Sequence, residues 1–182
     1  MIIEMLGWLG TAIYLLAYIL LTVEFISMGG LYLSLNIVAP ILVIIVSVPK
    51  ASWSAVLINF FWGFITISQI INLTLRFPRQ GKLIFQVLMG VLLGSSLSCT
   101  LVGNQHLAVT TLAWCSTIGY SLSYLLFLNG WLKLIEFHRW NFLFALILIP
   151  QLLLDNNWQV IIIEIFWAGI GLWGILNRHF QK

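Results

Sequence analysis

The stretch from Trp53 to Asn72, WSAVLINFFWGFITISQIIN, recurs as Trp158 to Asn177, WQVIIIEIFWAGIGLWGILN. The offset is constant, since 158 − 53 and 177 − 72 both give 105. Trp53 falls on Trp158, Phe61 on Phe166, Trp62 on Trp167, Ile65 on Ile170, Ile70 on Ile175 and Asn72 on Asn177. Farther upstream the match continues at an offset of 106, with Trp8 on Trp114, Thr11 on Thr117, Tyr14 on Tyr120 and Tyr18 on Tyr124. Asn36 falls on Asn141 at 105. A chain built this way folds as two copies of one module. Each copy of the most obvious stretch is ~20 residues, enough to cross a bilayer as a helix at ~1.5 Å per residue. One difference matters chemically: the amide Asn59 is replaced by the carboxyl Glu164.

Composition decides the solvent. Hydrophobic residues make up 62% of the 182 and charged residues 7%, against roughly 25% charged in a soluble domain. A water-facing surface cannot be assembled from that stock, so the chain reads as a multi-pass membrane protein with the lipid bilayer as its environment. The eight Lys and Arg form no basic stripe interleaved with aromatics, so no nucleic-acid partner is expected. Cys99 and Cys115 sit in apolar runs without CxxC or His-x-x-x-His spacing. They read as free thiols, and no metal or other cofactor is expected. The first apolar run carries Glu4 and lacks a basic leader region, so it reads as a span rather than a cleaved signal.

Seven spans follow, at about residues 6–23, 31–48, 53–72, 83–103, 107–128, 140–154 and 158–177. The sixth is short unless it extends back over Ile135 and Phe137, which brings Glu136 and Arg139 near the interface. The most polar segment, RFPRQGK at 76–82, is the natural linker. The expected fold is all-α membrane: seven transmembrane helices, as two parallel three-helix repeats joined by a linker helix. Residues 1–75 form the first repeat, 76–106 the linker with the fourth helix, and 107–182 the second repeat. Lys50 alone falls on the N-terminal side; Arg76, Arg79, Lys82, Lys133, Arg139, Arg178 and Lys182 fall on the other. That bias places the N-terminus outside and the C-terminus in the cytoplasm. Gly90 and Gly94 in the linker helix form a GxxxG, a route to a homo-oligomer.

The order of three spans, one linker and three spans resembles the SWEET sugar transporters, the wider PQ-loop superfamily and the nicotinamide riboside transporters. In that superfamily a Pro-Gln pair marks the first span of each repeat; here Pro150-Gln151 lies on the sixth span. The resemblance implies alternating access between two helix bundles, with substrate held between them near the midplane. It also implies that an asparagine on the third span, here Asn59, and a nearby tryptophan face the substrate, with Glu164 replacing the second asparagine. A further likeness is carried by Gly7-Trp8-Leu9-Gly10, Ala17-Tyr18, Leu31-Tyr32 with Asn36, Trp53 and Asn59-x-x-Trp62. These resemble a family of uncharacterised bacterial three-span membrane modules. That likeness implies a bacterial inner membrane and brings no activity with it.

Glu164 is the sharpest chemical signal. A carboxylate within an apolar helix costs a few kcal/mol on insertion scales, so it faces a cavity or a partner. It reads either as a protonatable or cation-binding group in a transport path, or as a neutral acid that ties helices together. Asn36, Asn59 and Asn141 could hydrogen-bond a solute or hold helices together, at ~0.6 kcal/mol per interhelical bond. Trp62 and Trp167, three residues beyond Asn59 and Glu164, could stack on a flat ring or fill the core. The tyrosine pairs Tyr14/Tyr18 and Tyr120/Tyr124 read as structural cross-repeat bonding, and Trp8, Trp53, Trp140 and Trp158 as interface anchors. No nucleophile with a base, paired aspartates or phosphate-cradling loop is present, so the chain does not read as an enzyme. The favoured expectation is a transporter of a sugar- or vitamin-like small molecule, bound by Asn36, Asn59, Trp62, Asn141, Glu164 and Trp167. The rival is a non-transporting membrane scaffold or accessory subunit.

Overall fold

The computed structural model describes residues 1–22, 25–26, 29–73, 76 and 80–176. Arg79, Arg178 and Lys182, counted above for orientation, lie outside the described residues, as do Thr74 and Asn177. Seven helices run through the described residues, with no strand among them: α1 (Ile2–Thr22), α2 (Gly30–Ser47), α3 (Trp53–Ile70), α4 (Gly81–Leu101), α5 (Gln105–Leu128), α6 (Leu134–Leu154) and α7 (Trp158–Leu176). Six are long and apolar enough to cross a membrane. In α5 the 24 residues suffice in length, but Thr110, Thr111, Ser116, Thr117, Ser121 and Ser123 dilute the apolar run. The fold is an all-α membrane fold carrying two repeats. The sixth span begins six residues before the expected Trp140, at Leu134. The Glu136 side chain accepts the Lys133 backbone N–H at 2.9 Å, which satisfies a donor at the start of α6.

The chain forms two compact units, Met1–Leu75 with Asp155–Ile163, and Arg76–Leu154 with Glu164–Lys182. In the first unit α1 packs on α2 and α2 on α3. Glycine sets the approach of α1. A Cβ at Gly7 would lie 2.7 Å from a Val46 methyl, and one at Gly10 would lie 2.9 Å from Leu42 Cβ. With little hydrophobic drive between helices in lipid, such close backbone packing supplies the association.

In the second unit α5 lies between α4 and α6. Ser96 of α4 donates to the Ala108 carbonyl at 2.9 Å, and Ser116 of α5 donates to the Phe144 carbonyl at 2.9 Å. Phe144 fills the space beside Gly119, where a Cβ would come within 2.3 Å of the ring. Trp140 stacks on Phe144 at 5.4 Å between centroids and meets the Phe85 ring edge-on at 4.9 Å. Trp140 thus takes part in the packing of this unit, whereas Trp8, Trp53 and Trp158 are exposed. Gly171 and Gly174 bring α7 against Phe142 and His138 of α6.

The repeat is visible in what is buried. Gly7, Gly10, Thr11 and Ala17 of α1 are buried, and so are their counterparts Ala113, Ser116, Thr117 and Ser123 of α5. Ala39, Pro40, Val43 and Ser47 of α2 match Phe144, Ala145, Leu148 and Leu152 of α6 in the same way. The turns repeat too: Ala51 and Asn156 occupy one position and share left-handed φ values of 50° and 52°.

Two glycine classes are thereby separable. Gly119→Ala is expected to destabilise the protein by about 1–3 kcal/mol through overpacking against Phe144. Gly94→Ala, whose new methyl would meet nothing within 4 Å, is expected to be neutral or stabilising by up to ~1 kcal/mol. Thermal unfolding in detergent checks both.

Candidate functional site

Hydrocarbon offers no water, so a polar side chain on a spanning helix bonds within the chain or leaves a group unsatisfied. In the first unit the Tyr14 hydroxyl of α1 donates to Asn59 Oδ1 of α3 at 2.9 Å, and Asn59 Nδ2 donates to the Ala55 carbonyl at 2.8 Å. Both ends of the Asn59 amide are engaged, and the residue is 5% exposed. Asn36 of α2 is half-buried and donates locally, from Nδ2 to the Tyr32 carbonyl at 2.9 Å. Four residues on, Pro40 has no N–H to return to the Asn36 carbonyl, so that helical bond is missing. Trp62 is half-buried in the same unit.

In the second unit the repeat equivalents meet again with different chemistry. The Tyr120 hydroxyl of α5 lies 2.8 Å from Glu164 Oε2 of α7, and 3.3 Å from the backbone carbonyl of Asn141 on α6. One hydroxyl carries one proton, so it can donate fully to only one of these acceptors. A proton on Glu164 would resolve the conflict: the acid donates to the Tyr120 oxygen, and Tyr120 donates to the Asn141 carbonyl. Glu164 is 3% exposed and is the one buried Asp, Glu, Lys or Arg among the described residues. Asn141 is 5% exposed, and its side-chain Oδ1 has no hydrogen-bond partner among the described residues. Trp167 is half-buried in this unit.

Of the six residues singled out from the sequence, Asn36, Asn59 and Trp62 thus belong to the first unit, and Asn141, Glu164 and Trp167 to the second. Tyr120 brings Asn141 and Glu164 together. The sequence reads the tyrosines as structural, although Tyr14 and Tyr120 matching each other while Asn59 matches Glu164 is the signal for both pairs.

A second polar cluster was not foreseen. It joins the N-terminal turn of α1 to the α2–α3 and α6–α7 turns, all within the first unit. Lys50 Nζ donates to Glu4 Oε2 at 3.2 Å, to the Asn156 carbonyl at 3.0 Å and to Gln159 Oε1 at 2.9 Å, which uses all three ammonium protons. Gln159 Nε2 donates to Glu4 as well. Ser52 Oγ donates to Asp155 Oδ2 at 2.6 Å, Asn157 Nδ2 to Ser47 Oγ at 2.9 Å, and Thr11 Oγ1 to the Gln159 carbonyl at 3.1 Å. No cluster of three or more His, Cys, Asp or Glu suited to a metal occurs among the described residues.

A family model matches the chain over residues 3–77 and 109–182, one stretch per repeat. The two stretches start 106 residues apart (109 − 3) and end 105 apart (182 − 77), the offsets of the internal repeat. Helix α4 falls between them. No curated protein and no solved structure matches the chain.

Lys50→Met removes the hub of the turn cluster and leaves Glu4 and Gln159 with fewer partners. It is expected to cost about 1–3 kcal/mol. Amide hydrogen exchange at residues 157–161 should accelerate, while exchange in α5 stays unchanged.

Proposed function

We propose a function from the premise that this chain belongs to an uncharacterised family whose match covers both of its three-helix repeats. We read it as a membrane carrier for a small sugar- or vitamin-like solute, with Glu164 taking up and releasing a proton during turnover. One comparison within the molecule carries this reading. Tyr14 with Asn59 and Tyr120 with Glu164 are the same cross-helix bond at the same repeat position. The first copy achieves that bond with a neutral amide. Helix packing alone would be served equally by an amide in the second copy, at lower cost in lipid. What a carboxyl adds is an exchangeable charge.

In the proposal the solute meets the hydrogen-bonding groups of Asn36, Asn59 and Asn141 and the faces of Trp62 and Trp167. The two repeats alternate in giving access from either side. The Pro40 position fits such a role, since it leaves the Asn36 carbonyl open to a donor. The positive charges favour an N-terminus outside a bacterial inner membrane.

A second reading has its own support. Gly90 and Gly94 of α4 are exposed, and a Cβ on either would meet nothing within 4 Å. Beside them Leu83, Ile84, Val87, Leu88 and Val91 line a shallow apolar groove. A scaffold that pairs with a second copy of itself through α4 would use that face.

Reconstitution into liposomes loaded with a pH-sensitive dye separates the two. The carrier reading expects a change in internal pH on addition of some member of a panel of sugars, nucleosides and vitamins. Glu164→Gln should abolish it while the protein still inserts and folds. Solute uptake that is identical across pH in wild type and Glu164→Gln would contradict the proton role, and no uptake of any panel member favours the scaffold.

A further inference from the structure

We propose that Glu164, Tyr120 and Asn141 form a binding site for one small monovalent metal cation, with Na+ the natural probe. The proposal rests on the carrier reading of Glu164 and names the ion that shares its site.

The site is rich in acceptors and poor in donors. Glu164 Oε2 and the Asn141 backbone carbonyl both lie within reach of the single Tyr120 hydroxyl, at 2.8 Å and 3.3 Å. They can be no farther apart than those two distances laid end to end. Asn141 adds a buried Oδ1 that no donor among the described residues satisfies. A proton on Glu164 completes the bond to Tyr120 and leaves that Oδ1 bare. A metal cation could draw on the carboxylate, the amide oxygen, the main-chain carbonyl and the hydroxyl together. All four are hard oxygen donors of the kind that alkali and alkaline-earth ions take.

Charge selects the valence. The site holds one carboxylate, so a monovalent ion leaves the buried assembly neutral, whereas a divalent ion leaves a net positive charge in hydrocarbon. Packing selects the size. The Phe144 ring stands 5.5 Å from the Tyr120 ring and presses on Gly119, and this aromatic packing beside Tyr120 argues for a bare ion over an organic ammonium group. The first repeat does not offer the same set of donors. Asn59 brings no charge, and both ends of its amide are already bonded.

Proton and metal ion compete for the same oxygen, so binding should weaken as pH falls. Of the other titratable or charged groups on the packed helices, His106 of α5 and Arg139 of α6 are exposed and Tyr124 of α5 packs on Phe137. Glu136 of α6 pairs with Lys82 of α4. Cys115 of α5 meets Met89 of α4. His138 of α6 lies against Gly174, about 15 Å along α7 from Glu164 at ~1.5 Å per residue.

The test is binding of radiolabelled Na+ to the purified, detergent-solubilised full-length protein, with choline chloride keeping ionic strength constant. Thermal unfolding is read in parallel, because a ligand of the folded state raises the melting temperature. The expected result is saturable binding of one Na+ per chain, displaced by acid and accompanied by thermal stabilisation. Glu164→Gln should abolish binding. Asn141→Leu and Tyr120→Phe should each weaken it by about tenfold or more. The wild-type measurement needs no variant to fold. Saturable binding that survives Glu164→Gln overturns the site. So does absence of Na+ binding in a wild-type protein that still shows the Glu164-dependent pH response in liposomes, and in that case the proton reading stands alone. Absence of both sinks the two readings together.

Discussion

The hydrogen bond between Tyr120 and Glu164 is the interaction on which the chemistry of this molecule turns. A carboxyl on a lipid-spanning helix has no water to fall back on, so its partner must come from within the protein. That partner is a hydroxyl 2.8 Å away on α5, close to the backbone of α6. The small residues of the second unit serve this contact. Gly119 admits Phe144 beside Tyr120, while Gly171 and Gly174 draw α7 against α6. Close packing thus fixes three helices around one acid, and the geometry follows from glycine placement more than from hydrophobic drive.

The first repeat acts as an internal control. Its Tyr14–Asn59 bond has nearly the same length and the same place in the module. Buried positions in α1 and α2 also recur in α5 and α6 although most of the side chains there differ. Selection for a stable module could retain all of this without ever requiring a charge. The carboxyl Glu164 in one copy stands where the other carries the amide Asn59. The polar cluster around Lys50 is a different kind of feature. It lies at the turns, where Glu4 is 51% exposed on its side chain and Lys50 only 14%, and it binds the start of α7 to the first repeat's turn. Its hydrogen bonds to charged groups are individually stronger than neutral ones.

Much of this was legible in the residues. The paired tryptophans and tyrosines at offsets of 105 and 106 reveal the duplication, and the family match ends on the same offsets. Apolar runs place the helices within a few residues, with α6 the exception, because Glu136 and Arg139 near its start mimic the end of a span. Glu164 stood out because a lone carboxyl in such a run is costly. Its partner did not, because a tyrosine at helical spacing on an apolar face is more often packing. The orphaned Asn141 Oδ1 was not legible at all, since whether an amide is satisfied depends on distances between helices. The Lys50 cluster was hidden for a related reason. Its members are scattered from Glu4 to Gln159, and no periodicity links turns that meet only in three dimensions.

The central claim is that one cross-helix bond is built twice, once with an amide and once with a titratable carboxyl. A pair of double-mutant cycles measures it directly, with Tyr→Phe and Asn or Glu→Leu at Tyr14/Asn59 and at Tyr120/Glu164, read by unfolding free energy in detergent. Partners in one hydrogen-bonded pair couple by about 0.5–3 kcal/mol. The account expects coupling in both cycles, larger in the second, and pH-dependent only there. Additive effects at Tyr120 and Glu164, or a pH dependence shared equally by the two cycles, would contradict it.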